Sequence, residues 1–306
     1  MAQDEPVNST ALGAGLACYL IWGFVPLAFQ AIGRLGVGPW EILAHRTLWG
    51  APTALVFVLM ARQGRQVLGV FSNPKLLGGL LLSSGLIAAN WIVFIWAVNT
   101  GRVLESSLGY YITPLINMAA GVLLFRERFD RVGVAAIALA VVGVVIQAVA
   151  IGRVPWVSLV LAVSFGGYGI VRKQVAADAQ TGLFLECLFL AIPSLGLVLW
   201  LAAHGQGHFG AAPVTTTWLV AAGPITAVPL VLFSWAARRI PLSSMGFLQF
   251  IAPTIGFVIG VAEGEAFTPL RGVSFAFIWG GAAVYAYGAW RRTRRVGTLA
   301  PVVEAA

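Results

Sequence analysis

Apolar positions dominate ten long runs of the chain, near residues 12–33, 39–61, 76–99, 102–125, 131–150, 154–172, 181–203, 214–237, 241–262 and 270–291, and short stretches carrying Lys, Arg, Pro or Gly separate them. A helix crossing the hydrocarbon core of a bilayer needs about 20 mostly apolar residues, and the runs cluster around that length. The third and fourth runs nearly fuse, so a tight turn containing Gly101 and Arg102 must part them. The other connections are also short, which favours antiparallel neighbours. The pattern predicts an all-α polytopic membrane protein of ten transmembrane helices.

Composition removes the soluble alternatives. The 306 residues are 59% hydrophobic and 10% charged, with a mean hydropathy of +0.89, against roughly 25% charged residues in soluble domains. Ten spans leave no room for a separate soluble domain. The N-terminal stretch MAQDEPVNSTALG lacks the positive start of a cleavable signal peptide, so the first run is expected to be a retained helix. Cys18 and Cys187 lie inside apolar runs as small hydrophobes, which gives neither a disulfide framework nor a metal site. No cofactor is expected.

The formal net charge of +8 does not point to nucleic acid, because the 19 Lys and Arg are dispersed between apolar runs. They set orientation instead. With the N-terminus in the cytoplasm, 14 of them fall inside, Arg172 and Lys173 included, and only Arg34, Arg102, Arg153 and Arg271 fall outside; Arg46 lies within the second run. The bias places both termini in the cytoplasm. Trp40, Trp156, Trp218 and Trp290 sit near run ends as interfacial anchors.

The chain also repeats itself. Ser106-Ser107-Leu108-Gly109-Tyr110 in the fourth run returns as Ser243-Ser244-Met245-Gly246-Phe247 in the ninth, 137 residues later. Pro114 and Pro253 are each followed seven residues on by a glycine, Gly121 and Gly260, and then by Glu127-Arg128-Phe129 and Glu265-Ala266-Phe267. Tyr19 to Gly23 echoes Phe165 to Gly169 more faintly. Five helices per unit is an odd number, so the second unit enters the membrane from the opposite side, and inverted repeats of this kind can open a shared site alternately to each face. The expected units are residues 1–150 and 151–295, followed by a polar cytoplasmic tail, 296–306. Pro26, Pro114, Pro224, Pro229 and Pro253 each free a backbone carbonyl that lipid cannot satisfy, which marks their helices as cavity-lining or kinked. Gly256 and Gly260 offer a smooth face for close helix contact.

These residues resemble the drug/metabolite transporter superfamily with paired EamA-type repeats, and in particular its RarD-like branch. The likeness runs through Ala17–Pro26 (ACYLIWGFVP), Glu41–Trp49 (EILAHRTLW), Leu104–Phe129, Phe165–Lys173 (FGGYGIVRK), Ala179–Glu186 (AQTGLFLE) and Leu242–Pro253 (LSSMGFLQFIAP). The resemblance implies ten helices in two inverted five-helix repeats around a central cavity. It also implies export of amino acids or similar small metabolites across the inner membrane, with drug efflux as the alternative.

Ionisable groups inside a span cost about 2.5–3.5 kcal/mol each on insertion scales, so each needs a partner or a function. Glu41 and His45 share one helical face at i, i+4 and, with Arg46, form either a proton relay or a structural lock on a neighbour; Glu186 in the seventh run is read the same way. Glu105 beside Arg102 reads as a helix-start pair at the external surface. Candidate substrate contacts are Tyr19, Trp22, Asn90, Trp91, Asn99, Tyr110, Tyr111, Thr113, Asn117, Ser164, Phe165, Tyr168, Thr226, Ser244 and Gln249, with Ser234 and Trp235 beside them. Buried amides and hydroxyls need partners that an amino acid could supply, and aromatic walls suit an apolar side chain or a cation. No reactive constellation of an enzyme is present: of three histidines, His204 and His208 lie in or beside a glycine-rich loop that disfavours a helical metal pair. Coupling to protons and downhill export both fit, and a monomer in the lipid bilayer is expected.

Overall fold

The computed structural model describes residues 8–100, 102–126, 130–151, 156–262 and 268–299. Among them the chain is helical throughout, with no strand. The helices are α1 (Ser9–Arg34), α2 (Pro39–Met60), α3 (Gly64–Phe71), α4 (Pro74–Asn99), α5 (Val103–Leu123), α6 (Arg131–Ile151), α7 (Trp156–Gln174), α8 (Ala179–Ala203), α9 (Pro213–Ala237), α10 (Leu242–Gln249), α11 (Ile251–Ala262) and α12 (Pro269–Leu299). Six of them, α1, α2, α4, α6, α8 and α9, are long and apolar enough to cross a membrane.

Local chemistry starts these helices where the sequence puts them. Asn8 accepts a bond from the Ala11 amide at 3.0 Å. Asn73 caps the Lys75 and Leu76 amides at 3.1 and 3.2 Å ahead of Pro74, whose missing N–H is harmless in a first turn. Pro39 and Pro213 open α2 and α9 in the same way. Large apolar side chains stay on the outside of the bundle, among them Leu16 and Leu20 of α1, Val145 of α6 and Ile192 of α8, a surface that hydrocarbon covers more readily than water.

Neighbour relations are regular. Helix α1 packs on α9 and α4 on α7; α2 packs on α9 and α4 on α8; α1 packs on α11 and α5 on α7. Three further contacts, α2 with α8, α5 with α10 and α6 with α12, join helices five apart in the series of long segments. Close approach is set by small residues. A Cβ on Gly223 of α9 would lie 2.3 Å from the carbonyl carbon of Trp49 in α2. Gly223→Ala is therefore expected to cost about 1–3 kcal/mol by overpacking, read as a lower melting midpoint of the purified protein.

Several expectations change here. The stretch between the second and third runs contains the short helix α3, which buries Val70 and leaves Leu68 and Phe71 exposed. The ninth run is two helices, α10 and α11, parted at Phe250. Pro253, third in α11, has no N–H for the carbonyl of Gln249, which weakens the helix at that point. In the first copy of the motif glycine and proline are five residues apart, Gly109 to Pro114; in the second they are seven apart, Gly246 to Pro253. Two added residues are roughly 200° of helix, and the break absorbs them, whereas α5 runs on through Pro114. The last helix continues to Leu299 through the arginines, because Arg is a good helix former that suits a helix C-terminus. Gly256 is not a packing face, since a Cβ there would meet nothing within 4 Å. Arg172 is no surface charge but is buried in α7, which takes one member from the inside count. Glu105 is buried as well, 3.9 Å from Arg102. The turn at Gly101, the Glu-x-Phe echoes at 127–129 and 265–267, Arg153 and the tail from residue 300 lie outside the described residues.

Candidate functional site

A cavity of about 120 Å³ lies where α1, α2, α4, α5, α7, α9 and the α10–α11 break converge. Helix α1 presents Tyr19, Trp22, Pro26, Phe29 and Gln30 to it, a face at three- and four-residue steps, and α4 presents Asn90, Trp91, Phe94 and Val98 in the same rhythm. Ser106, Ser107 and Tyr110 come from α5, Phe165 from α7 and Leu230 from α9. Gln249, Ala252, Pro253, Gly256 and Ile259 flank the break, and Arg46 enters from α2.

The walls are largely aromatic and ordered. Trp22 stands edge-on to Tyr19 at 5.6 Å and to Phe165 at 5.4 Å, and Tyr110 meets Phe94 at 5.6 Å. Asn90 is fixed on both ends: its amide donates to the Leu161 carbonyl at 3.1 Å and to Ser164 Oγ at 3.2 Å, and its Oδ1 accepts from the Tyr110 hydroxyl at 3.2 Å. Gln249 Oε1 accepts from Asn117 Nδ2 at 3.0 Å, which ties α10 to α5. Locked rotamers of this kind preserve the shape of a binding site. Three buried polar atoms of the wall have no hydrogen-bond partner among the described residues: Tyr19 Oη, Gln30 Oε1 and Arg46 Nη1.

Of the substrate contacts expected from sequence, the cavity brings together Tyr19, Trp22, Asn90, Trp91, Tyr110, Phe165 and Gln249. The others lie behind it or elsewhere. Ser164 and Asn117 hold lining residues, as above, and Thr226 accepts from Arg46 Nε at 3.1 Å. Tyr111 packs against Phe250 and Phe275, and Ser244 shares a hydrogen bond of 2.9 Å with Tyr285. Thr113 and Asn99 bond back to their own helices, at Gly109 and Ile95. Ser234 is buried in α9, and Trp235 stacks on Arg239 at 4.2 Å. Sequence reading missed Phe29, Gln30, Phe94 and the serines at 106 and 107. Phe29 and Gln30 follow Trp22 and Pro26 at helical spacing, a signal that was there to use.

The charged group of α2 splits. Glu41 is buried and accepts from the His208 backbone amide at 2.6 Å while meeting its Nδ1 at 2.7 Å, so it clasps the loop before α9. Gly205 and Gly210, at φ of +67° and +83°, shape that loop. His45 is 4.0 Å from Glu41 and stacks on Phe209. Arg46, one residue on and about 100° around the helix, points instead at the cavity. Glu186 of α8 forms a separate buried cluster, with Arg172 Nε at 3.6 Å, Tyr168 donating at 3.2 Å and Ser83 donating to its other oxygen. Among the described residues no group of His, Cys, Asp and Glu could hold a metal ion.

Comparison with known proteins gives the family. Residues 9–148 match the model of the EamA-like transporter family. Protein RarD of Streptomyces exfoliatus is 40% identical over 95% of this chain and 92% of its own length. The chloramphenicol-sensitive protein RarD of Pseudomonas aeruginosa is 31% identical over 78% of this chain and 81% of its own. One solved crystal structure shares the fold at a TM-score of 0.70 with 20% identity, covering 92% of this chain and 98% of that one. Helices fit to cross a membrane, a cavity where they converge and relatives of this identity and coverage agree: the chain belongs to the EamA-like transporter family, as a membrane transporter of the RarD type.

Proposed function

We propose that this transporter exports amino acids, apolar or aromatic ones first, together with similar small metabolites, by alternating access of the central cavity. The observation that carries the reading is the aromatic cavity between the helices, with unpaired polar atoms among its lining residues, the composition expected of a site for a small, partly apolar solute. In this reading ten segments cross the inner membrane as inverted five-helix halves, 1–150 and 151–295, with both termini cytoplasmic. The exchange of neighbour relations between helices five segments apart supports it. So does a pair of matching bonds: Arg46 reaches Thr226 between α2 and α9, and Glu186 reaches Ser83 between α8 and α4. Helices of a single chain supply all the lining residues of the cavity, which suits a monomer. Among the described residues no carboxylate or histidine lines the cavity, which favours downhill export over proton coupling.

The test is efflux of L-phenylalanine from loaded proteoliposomes, with the standard amino acids and chloramphenicol as competitors. Saturable efflux, inhibited by apolar amino acids, is expected, and Trp22→Ala should slow it several-fold while the protein stays folded. Movement of chloramphenicol, the compound in the name of the Pseudomonas relative, with no amino-acid flux in either gradient direction would favour drug efflux.

A further inference from the structure

We infer that Arg46 is a carboxylate subsite, so that the molecule carried must present an anionic oxygen pair to α2. This deepens the transporter reading and rests on it. Arg46 is only 5% exposed, and a buried cation without a counter-charge is costly. Its surroundings supply everything except that charge. Trp91 lies 4.1 Å and Phe29 4.8 Å from the guanidinium carbon, with the cation over both rings, and Thr226 takes the Nε proton at 3.1 Å. Nη1 has no partner.

The acids that might have neutralised it are already engaged. Glu41 holds His208 at 2.7 Å, Glu186 lies 3.6 Å from Arg172 and Glu105 lies 3.9 Å from Arg102. Among the described residues Arg46 has no carboxylate within ion-pair distance, yet it lines the cavity. Trp91 and Phe29 rings hold the guanidinium by cation–π contact, and a guanidinium takes a carboxylate through two parallel bonds along its edge. A carboxylate brings the missing charge, and the aromatic wall receives an apolar remainder. An amine or amide of the same shape brings nothing for Arg46.

The experiment uses the purified full chain and four probes of one skeleton: L-phenylalanine, 3-phenylpropionate, phenethylamine and L-phenylalaninamide. Ligand-induced shifts of the melting curve give apparent affinities. The two acids are expected to bind at least about tenfold more tightly than the amine and the amide, the usual scale for a charge-assisted bond. Arg46→Gln should erase that preference without lowering the melting midpoint of the ligand-free protein, because it removes an uncompensated charge and keeps a donor. Arg46→Lys, a point charge without the fork, should fall between.

Equal binding of acids and amines, no acid-dependent shift, or a preference that survives Arg46→Gln would each overturn the subsite. The wild-type panel decides even where a variant folds poorly. Flux of the same probes separates this inference from the function on which it rests. Acid-selective binding without amino-acid flux sinks the export reading and leaves the subsite standing; flux without selectivity does the reverse.

Discussion

Glu186→Gln is expected to destabilise the protein by about 3–5 kcal/mol, the cost of stranding one partner of a buried ion pair. Glu186 and Arg172 are 2% and 1% exposed and 3.6 Å apart. The substitution keeps the shape and one of the two acceptor oxygens that serve Ser83 and Tyr168, so the experiment reads the lost charge together with one hydroxyl that must turn to accept. Arg172 then has only the Asp178 carbonyl, at 3.4 Å. It cannot swing into free space, because its guanidinium lies against Gly182 so closely that a Cβ there would come within 2.0 Å of Nη1. The double variant Arg172→Met/Glu186→Gln removes the stranded charge and should recover most of the loss. Melting midpoints in detergent check both, and a double variant no more stable than Glu186→Gln alone would show that charge pairing is not what holds α7 to α8.

Gly256→Leu should abolish transport, by more than tenfold, and leave the fold intact. Gly256 borders the cavity, and a Cβ built on it meets nothing within 4 Å. A leucine would extend into space that a solute needs. Gly256→Ala adds only a methyl group and replaces a poor helix former in α11 with a good one, a gain of up to about 1 kcal/mol. The measurement pairs L-phenylalanine efflux with melting midpoints. Loss of flux together with a large drop in stability for the leucine variant would mean that the space is packing volume and not a passage.

Much of the frame was legible because a lipid-facing helix advertises itself by length, and Pro, Gly or charge marks where each run stops. Helix α3 escaped because eight residues form no spanning run. The break at Phe250 escaped because the residue types of the repeated motif match and only the glycine-to-proline spacing differs. The site was harder for a physical reason. In a soluble helix the apolar stripe points inward, but a membrane helix is apolar on both its lipid and its core face, so periodicity does not say which aromatic looks at a cavity. Tyr110 and Tyr111 are adjacent and equally plausible by type, yet Tyr110 lines the cavity and Tyr111 packs against Phe250 and Phe275. Arg46 was separable from Glu41 and His45, since i, i+4 residues share a face and the next residue does not. Arg172 was not separable. A basic residue near the end of a run looks like a loop charge unless its acid, here Glu186 on another helix, is known to face it.

The single joint at Phe250 has a mechanical consequence. Helix α5 passes its proline unbroken, whereas α10 and α11 meet at one non-helical residue, the kind of element end that can absorb a change of backbone angles. Because Gln249, Ala252 and Pro253 on either side of that joint line the cavity, a solute seated there would press on the one place where the two copies of the motif differ in build.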